Sequence, residues 1–156
     1  MMAMGAADMG PAGTAEQRVI RVSAVVLLRP DGAALAVRKA GTRMFMFPGG
    51  KPEPGESPLD TAVREVAEET GIRLRPQELV SLGVQEAAAA NEAGFRVVAD
   101  VFALSRPLAR FEVPEAADEI HELTWLDPAA PQAPDGHGLA PLLCSVLEGI
   151  AEDPLF

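Results

Sequence analysis

Residues 50 to 72 read Gly50-Lys51-Pro52-Glu53-Pro54-Gly55-Glu56-Ser57-Pro58-Leu59-Asp60-Thr61-Ala62-Val63-Arg64-Glu65-Val66-Ala67-Glu68-Glu69-Thr70-Gly71-Ile72. The pattern is a glycine-turned loop, a capped helix and a glycine stop. Ser57 suits the N-cap and Pro58 the first helical position. Asp60, three residues after Ser57, completes a variant of the capping box, and Gly71 suits a left-handed stop. Leu59, Val63, Val66 and Thr70 recur at helical spacing and are the expected apolar face. Glu65, Glu68 and Glu69 stand at i, i+3 and i+4, so they share a face, placed roughly opposite the apolar one. Like charges stacked in this way destabilise a helix unless a positive charge sits among them. A divalent metal is the simplest candidate.

Outward from this helix, the upstream chain reads as strands. Arg18 to Arg29 is rich in β-branched residues and ends at Pro30-Asp31-Gly32, a strong turn signal. Ala33 to Arg38 is the expected partner strand of a hairpin, and Phe45 to Phe47 a short strand before Pro48-Gly49-Gly50. Downstream, Leu79 to about Ala90 and Phe95 to Leu104 read as strands joined by an Asn91-Glu92-Ala93-Gly94 turn, although Ala87 to Ala90 also suits a helix. Ile120 to Leu126 is a further strand, Asp127 to Gly138 a Pro-rich loop, and Leu139 to Ala151 an amphipathic helix. Strands, helix, strands, helix imply an α+β or three-layer arrangement. Residues 1 to 17 show no periodicity and no apolar signal region, which predicts a disordered tail before a single domain over 18–156.

The chain has 156 residues, 48% hydrophobic and 23% charged, with a formal net charge of −10. That length is one domain with a substantial core. A strongly negative surface repels a polymeric phosphate backbone, which argues against a nucleic-acid partner, but a small phosphorylated substrate arriving with metal is compatible with it. No apolar run approaches a membrane span. The single cysteine, Cys144, forms no internal disulfide and fits a reducing, cytoplasmic compartment; on the terminal helix it reads as a small core residue. His121 and His137 have no useful ligand spacing.

The 50–72 stretch resembles the Nudix box, whose pattern is Gly, five residues, Glu, seven residues, Arg-Glu, an aliphatic residue, any residue, Glu-Glu, any residue, Gly, an aliphatic residue. Gly50, Glu56, Arg64-Glu65-Val66, Glu68-Glu69 and Gly71-Ile72 fill all nine fixed places over 23 residues without insertion. The resemblance covers roughly residues 18 to 150. It implies the Nudix fold, an α+β structure with a mixed sheet in an α/β/α sandwich, and a metal-dependent hydrolase of the MutT type. The expected reaction splits the pyrophosphate bond of a nucleoside diphosphate linked to a group X, with a (d)NTP among the candidates, using Mg²⁺ or Mn²⁺. Oxygen ligands suit such hard cations.

Carried over by the resemblance, Glu65, Glu68, Glu69 and the Gly50 carbonyl are metal ligands, Arg64 holds a helix carboxylate in place, and Glu56 supports them. A further acidic residue is expected just before the strand with Trp125. Asp118, Glu119 and Glu122 are available there, with Glu119 the first choice for metal binding or general base and Glu122 the second. The base role stays divided between Glu65 and Glu119. Arg38, Phe47 and Asp135 are the substrate-binding candidates, although Arg38 also suits a plain surface strand, Phe47 a core position and Asp135 a simple turn. Two rivals remain in other classes. One is a non-catalytic module that senses a nucleotide. The other is an isomerase, which needs a cysteine near the site, where Cys144 is misplaced. A homodimer is plausible by analogy with the family.

Overall fold

The computed structural model describes residues 18–134 and 136–156. The expected disordered tail, residues 1 to 17, and the candidate Asp135 lie outside the described residues.

Among the described residues eight strands and two α-helices are formed: β1 (Val19–Val26), β2 (Ala34–Lys39), β3 (Met44–Phe45), β4 (Gly49–Gly50), α1 (Pro58–Thr70), β5 (Leu79–Ala88), β6 (Arg96–Leu104), β7 (Ile120–Leu126), β8 (Gly138–Leu139) and α2 (Pro141–Glu152). A four-stranded mixed sheet has the order β4-β1-β6-β5. In it β1 runs parallel to β6 and antiparallel to β4, and β5 is antiparallel to β6. Two smaller pairs, β2 with β7 and β3 with β8, complete the framework.

The hairpin expected after β1 exists only at its tip. Gly32 N–H donates to the Arg29 carbonyl, and Leu28 bridges to Ala34. Beyond this turn the two strands part. β1 pairs with β6, while β2 pairs with β7 across more than 80 residues of sequence, from Ala34 opposite Leu126 to Lys39 opposite Ile120. Local turn chemistry set the tip, and burial of both faces of β1 set the rest. Its side chains alternate between two cores. Ala24 and Val26 join Ala99, Val101 and Ala103 of β6 against Leu143, Val146, Leu147 and Ile150 of α2. Val25 and Leu27 join Phe102 and Leu104 against Ala62 and Val66 of α1. The central strands therefore carry a helix on each face, which is a mixed-sheet α/β/α sandwich.

Helix α1 ends as its sequence prescribes. Ser57 Oγ accepts from Asp60 N–H at 3.1 Å, and Gly71 takes φ 78° while its N–H donates to the Ala67 carbonyl. The expected face packs inward, with Val66 and Thr70 buried and Leu59 and Val63 against the same core, and the burial extends further round the helix. Thr61, Ala62, Val66, Glu69 and Thr70 are buried, whereas Leu59 and Val63 are only half-buried. Glu69, at the edge of the acidic group, is thereby included in the buried side. On α2 the buried residues are Leu143, Val146, Leu147 and Ile150, at i, i+3, i+4 and i+7. Cys144, one residue out of phase with them, is exposed and is not part of the core. The stretch Ala87 to Ala90 resolves as the end of β5 and the start of the turn, not as a helix.

Candidate active site

The acidic face of α1 is graded by depth. Glu69 is 1% exposed. Its Oε1 accepts from Gly49 N–H at 3.0 Å, and its Oε2 is buried with no hydrogen-bond partner. Burial raises its carboxyl pKa to about 8, against the lowering effect of the Gly49 hydrogen bond and with a further upward push from the nearby Glu65 charge. Glu65 is half-buried, and desolvation raises its pKa as well, with Arg64 opposing. Glu68 is exposed.

Strand β4 lies against these carboxylates because its two glycines permit the approach. A Cβ on Gly50 would stand 2.3 Å from Glu65 Oε2, and one on Gly49 would stand 2.0 Å from the Ser23 carbonyl oxygen. Main-chain pairing of Ser23 with Gly50 and Ala24 with Gly49 fixes this corner, and Ser23 Oγ ties it to the first turn of α1 by donating to the Pro58 carbonyl at 2.7 Å.

Arg64 is the counter-charge that the acidic helix required. Its Nε donates to Glu56 Oε2 at 2.7 Å and its Nη2 to Glu56 Oε1 at 2.9 Å. Its Nη1 reaches Glu65 Oε2 at 3.2 Å and Glu68 Oε1 at 3.1 Å, while Nη2 also donates to the Lys51 carbonyl at 3.1 Å. Glu56 additionally accepts from Thr61 Oγ1 and from Glu53 N–H. These contacts, Arg64 first, hold the Glu56 carboxyl down at about 2. A bidentate guanidinium fixes geometry in a way a point charge does not.

Glu119, the first choice among the downstream acids, is carried at the end of a long loop. Glu115 N–H and Ala117 N–H donate to the carbonyls of Thr70 and Glu69, satisfying two acceptors at the helix C-terminus. Asp118 then takes a left-handed φ of 55°, and Ala40 N–H donates to the Glu119 carbonyl. Glu119 is thereby placed beside Lys39, with Oε1 and Nζ 3.6 Å apart.

A cavity of about 550 Å³ opens at this corner, and Gly49, Gly50, Glu65, Glu119, Lys39 and Phe47 are among its lining residues. Phe47 is both a wall of the cavity and a core residue, 4% exposed. Arg38, expected to touch substrate, does not line the cavity. It is buried, its Nε and Nη2 donating to Glu122 Oε1 at 2.9 and 2.7 Å and its Nη1 to the Thr42 carbonyl at 2.7 Å. Glu122, the second choice among the downstream acids, is thus committed to Arg38. The register explains the outcome: Arg38 sits directly opposite Glu122 in the β2–β7 ladder, and a bulge follows between Arg38 and Lys39. Lys39 takes the cavity position that the sequence suggested for Arg38, and the strand alternation of adjacent residues was the signal for it. Asn91 and Glu92 also line the cavity; the sequence places them in a strand turn, within the stretch 86 to 96 that it leaves as one of the loops choosing the substrate.

Among the described residues no three carboxylate, imidazole or thiol groups are drawn together as a ready-made metal cage. The donor set nevertheless fits a hard divalent cation. The unpartnered Glu69 Oε2 is a buried acceptor in want of a positive partner, and Mg²⁺ takes only one or two protein carboxylates together with water and phosphate oxygens.

The sequence model of the NUDIX domain matches residues 17–145. The mouse protein "Nucleoside diphosphate-linked moiety X motif 6" is 36% identical over 85 residues, covering 54% of this chain and 26% of that protein. Among solved structures, a MutT NUDIX hydrolase from Burkholderia pseudomallei superposes with a TM-score of 0.67 at 22% identity, over 85% of this chain and 98% of that one. A bifunctional NMN adenylyltransferase/ADP ribose pyrophosphatase from Francisella tularensis, complexed with AMP and a Mn ion, superposes at 0.63 with 16% identity, over 86% of this chain and 41% of that one. The chain spans 26% to 49% of the length of the curated relatives it matches. The fold and the glutamate-bearing helix place this chain in the Nudix family, to which it belongs over most of its length. No helix among the described residues is long and apolar enough to cross a membrane.

Proposed function

We propose that this chain is a pyrophosphohydrolase dependent on a divalent metal, Mg²⁺ with Mn²⁺ as a substitute. It hydrolyses the pyrophosphate bond of a nucleoside diphosphate derivative, a (d)NTP among them, to a nucleoside monophosphate and phosphate-X. The observation that carries this reading is the buried Glu69, with one oxygen on Gly49 N–H and the other unpartnered, directly behind the half-buried Glu65 and the Gly50 backbone. The relatives described above, one named for a nucleoside diphosphate-linked moiety X motif and one solved with AMP and a Mn ion, support it.

Glu65, Glu68, Glu69, Glu119 and the Gly50 carbonyl would hold the metal, which when bound neutralises phosphate charge and makes the attacking water more acidic. Arg64 keeps Glu65 and Glu68 in position, and Glu56 keeps Arg64 in position. The proton of the attacking water passes to Glu65 or Glu119, both of which line the cavity. Burial raises the Glu65 carboxyl pKa, toward the range in which a general base works best. Lys39 and Lys51 bring positive charge to the same cavity, suited to the phosphates.

The test is a panel of nucleoside diphosphate derivatives with Mg²⁺ or Mn²⁺, following phosphate or pyrophosphate release, with Glu69→Gln alongside. Turnover by the native protein and its loss in Glu69→Gln is expected. Full activity in Glu69→Gln, or no turnover of any member by the native protein, overturns the reading, and binding without turnover would make the chain a nucleotide-sensing module instead.

A further inference from the structure

The cavity does not stop at the carboxylates. From Ser23, which pairs with Gly50, it runs back along β1 to Ile20, three residues or about 10 Å away at about 3.3 Å per residue. Ile20 pairs with Val97 and Val97 with Ala87, so this limb crosses three strands of the sheet. Its sides are aliphatic, with Val22, Met46, Val97 and Leu142 among them, and its far end reaches Asn91 and Glu92 in the turn between β5 and β6. The chain contains no tyrosine. The one aromatic residue in the wall, Phe47, is nearly fully buried. A flat heterocycle in this limb would be held between aliphatic side chains, which grip every base about equally. Discrimination then falls to the polar residues at the end. An asparagine amide offers one acceptor and two donors, whereas an ionised glutamate only accepts.

We propose that Asn91 and Glu92 determine specificity, selecting nucleoside diphosphate derivatives whose base carries an exocyclic amino group and rejecting uracil and thymine. The inference rests on the hydrolase reading above and names the substrate class of that same cavity. Adenine, cytosine and guanine each present an amino donor beside ring nitrogens, which suits an acceptor-only carboxylate next to an amide. Uracil and thymine present N–H between two carbonyls, so a carboxylate approaching that edge meets a carbonyl oxygen. Asn91 and Glu92 are exposed in the free protein, so a mismatched edge costs binding energy where the bound base covers them from water and leaves their polar groups unpaired.

The experiment compares kcat/KM for the five nucleoside triphosphates, and for inorganic tripolyphosphate as a base-free control, in the native protein, Asn91→Ala and Glu92→Gln. The native protein should favour an amino-bearing base over uracil and thymine by about tenfold or more. Glu92→Gln, which replaces two acceptors with an acceptor and a donor, should raise uracil and thymine relative to the others. Asn91→Ala should lower the favoured substrate by about tenfold and leave tripolyphosphate unchanged. Equal native activity on all five bases, or ratios unmoved by either substitution, overturns the proposal. If the native protein turns over nothing, the hydrolase reading fails separately, and calorimetric titration with the five nucleoside monophosphates decides this one. The same base preference, weakened in the variants, sustains it, and binding without base preference, or no binding, overturns it.

Discussion

A carboxylate that is 1% exposed, with a single backbone donor, resists ionisation, and the pKa of about 8 at Glu69 is that resistance. Its sign sets the pH dependence of the metal-free protein. The folded-state value lies above the ordinary 4.5, so the folded protein binds the extra proton, and this contribution to stability is complete below about 4.5 and is lost as pH rises through about 8. The Tm of native protein in chelator should therefore fall between pH 5 and 8 relative to Glu69→Gln, whose neutral amide does not titrate. A matched Tm–pH profile for the two proteins would contradict this. A divalent metal needs the ionised form, so metal binding should release a proton below pH 8 and tighten as pH rises, which calorimetry in two buffers of different ionisation enthalpy measures. Glu56 has the opposite sign. Its folded value of about 2 lies below the ordinary 4.5, so its contribution is present above about 4.5 and is lost as pH falls through about 2. Arg64→Lys keeps the charge but not the fork that reaches Glu56, Glu65, Glu68 and the Lys51 carbonyl, and it should lose activity by roughly 10- to 100-fold with far less change in Tm. Activity within twofold of native would show that charge alone suffices.

At the scale of elements, α1 and β4 act as one piece. The helix is held by a side-chain cap at one end and a left-handed glycine at the other, and the two-residue β4 is held by pairing with β1. Ser57→Ala removes the acceptor for Asp60 N–H and should cost about 1 kcal/mol in denaturant unfolding, with the denaturant slope unchanged. Gly50→Ala carries a different expectation. Its methyl group would occupy the place of Glu65 Oε2 while the main chain keeps its hydrogen bonds, so the loss should appear in turnover and metal affinity more than in stability. Gly49→Ala would press on the Ser23 carbonyl, which is backbone and cannot turn aside, and should destabilise the fold itself. Measured side by side, the two alanines separate a glycine kept for a carboxylate from a glycine kept for a strand. If both behave alike, that distinction is wrong.

For the whole molecule, the two cores divide the work. The core on the α1 face supports the acidic helix, and the core on the α2 face backs the apolar limb of the cavity through Ala140, Leu142 and Leu143. Leu147 is fully buried in the second core. Leu147→Ala should destabilise by about 2–5 kcal/mol through the cavity it leaves. Because it touches neither the carboxylates nor Arg64, kcat measured well below the lowered Tm should stay near native. A large fall in kcat there would show that the two cores are coupled.

The sequence by itself determined the parts whose physics is local. The register of Gly50, Glu56, Arg64, Glu65, Glu68, Glu69 and Gly71, the Ser57 cap and the turn at Pro30-Asp31-Gly32 all depend on neighbours within a few positions, and the cap and the turn are formed as read. What the tertiary structure alone decided depends on partners far apart in the chain. Leu59, Val63, Val66 and Thr70 form the expected inward face of α1 and do pack there, yet Glu69 is buried with them, because a helix settles with whichever side the whole core can accept. Arg38 and Lys39 are adjacent and both cationic. Only the pairing of β2 with β7 sent one to Glu122 and the other to the cavity. Asn91 and Glu92 acquired a setting that could select a base only when β1, β6 and α2 closed an apolar limb beside them, a juxtaposition that no spacing within the chain encodes.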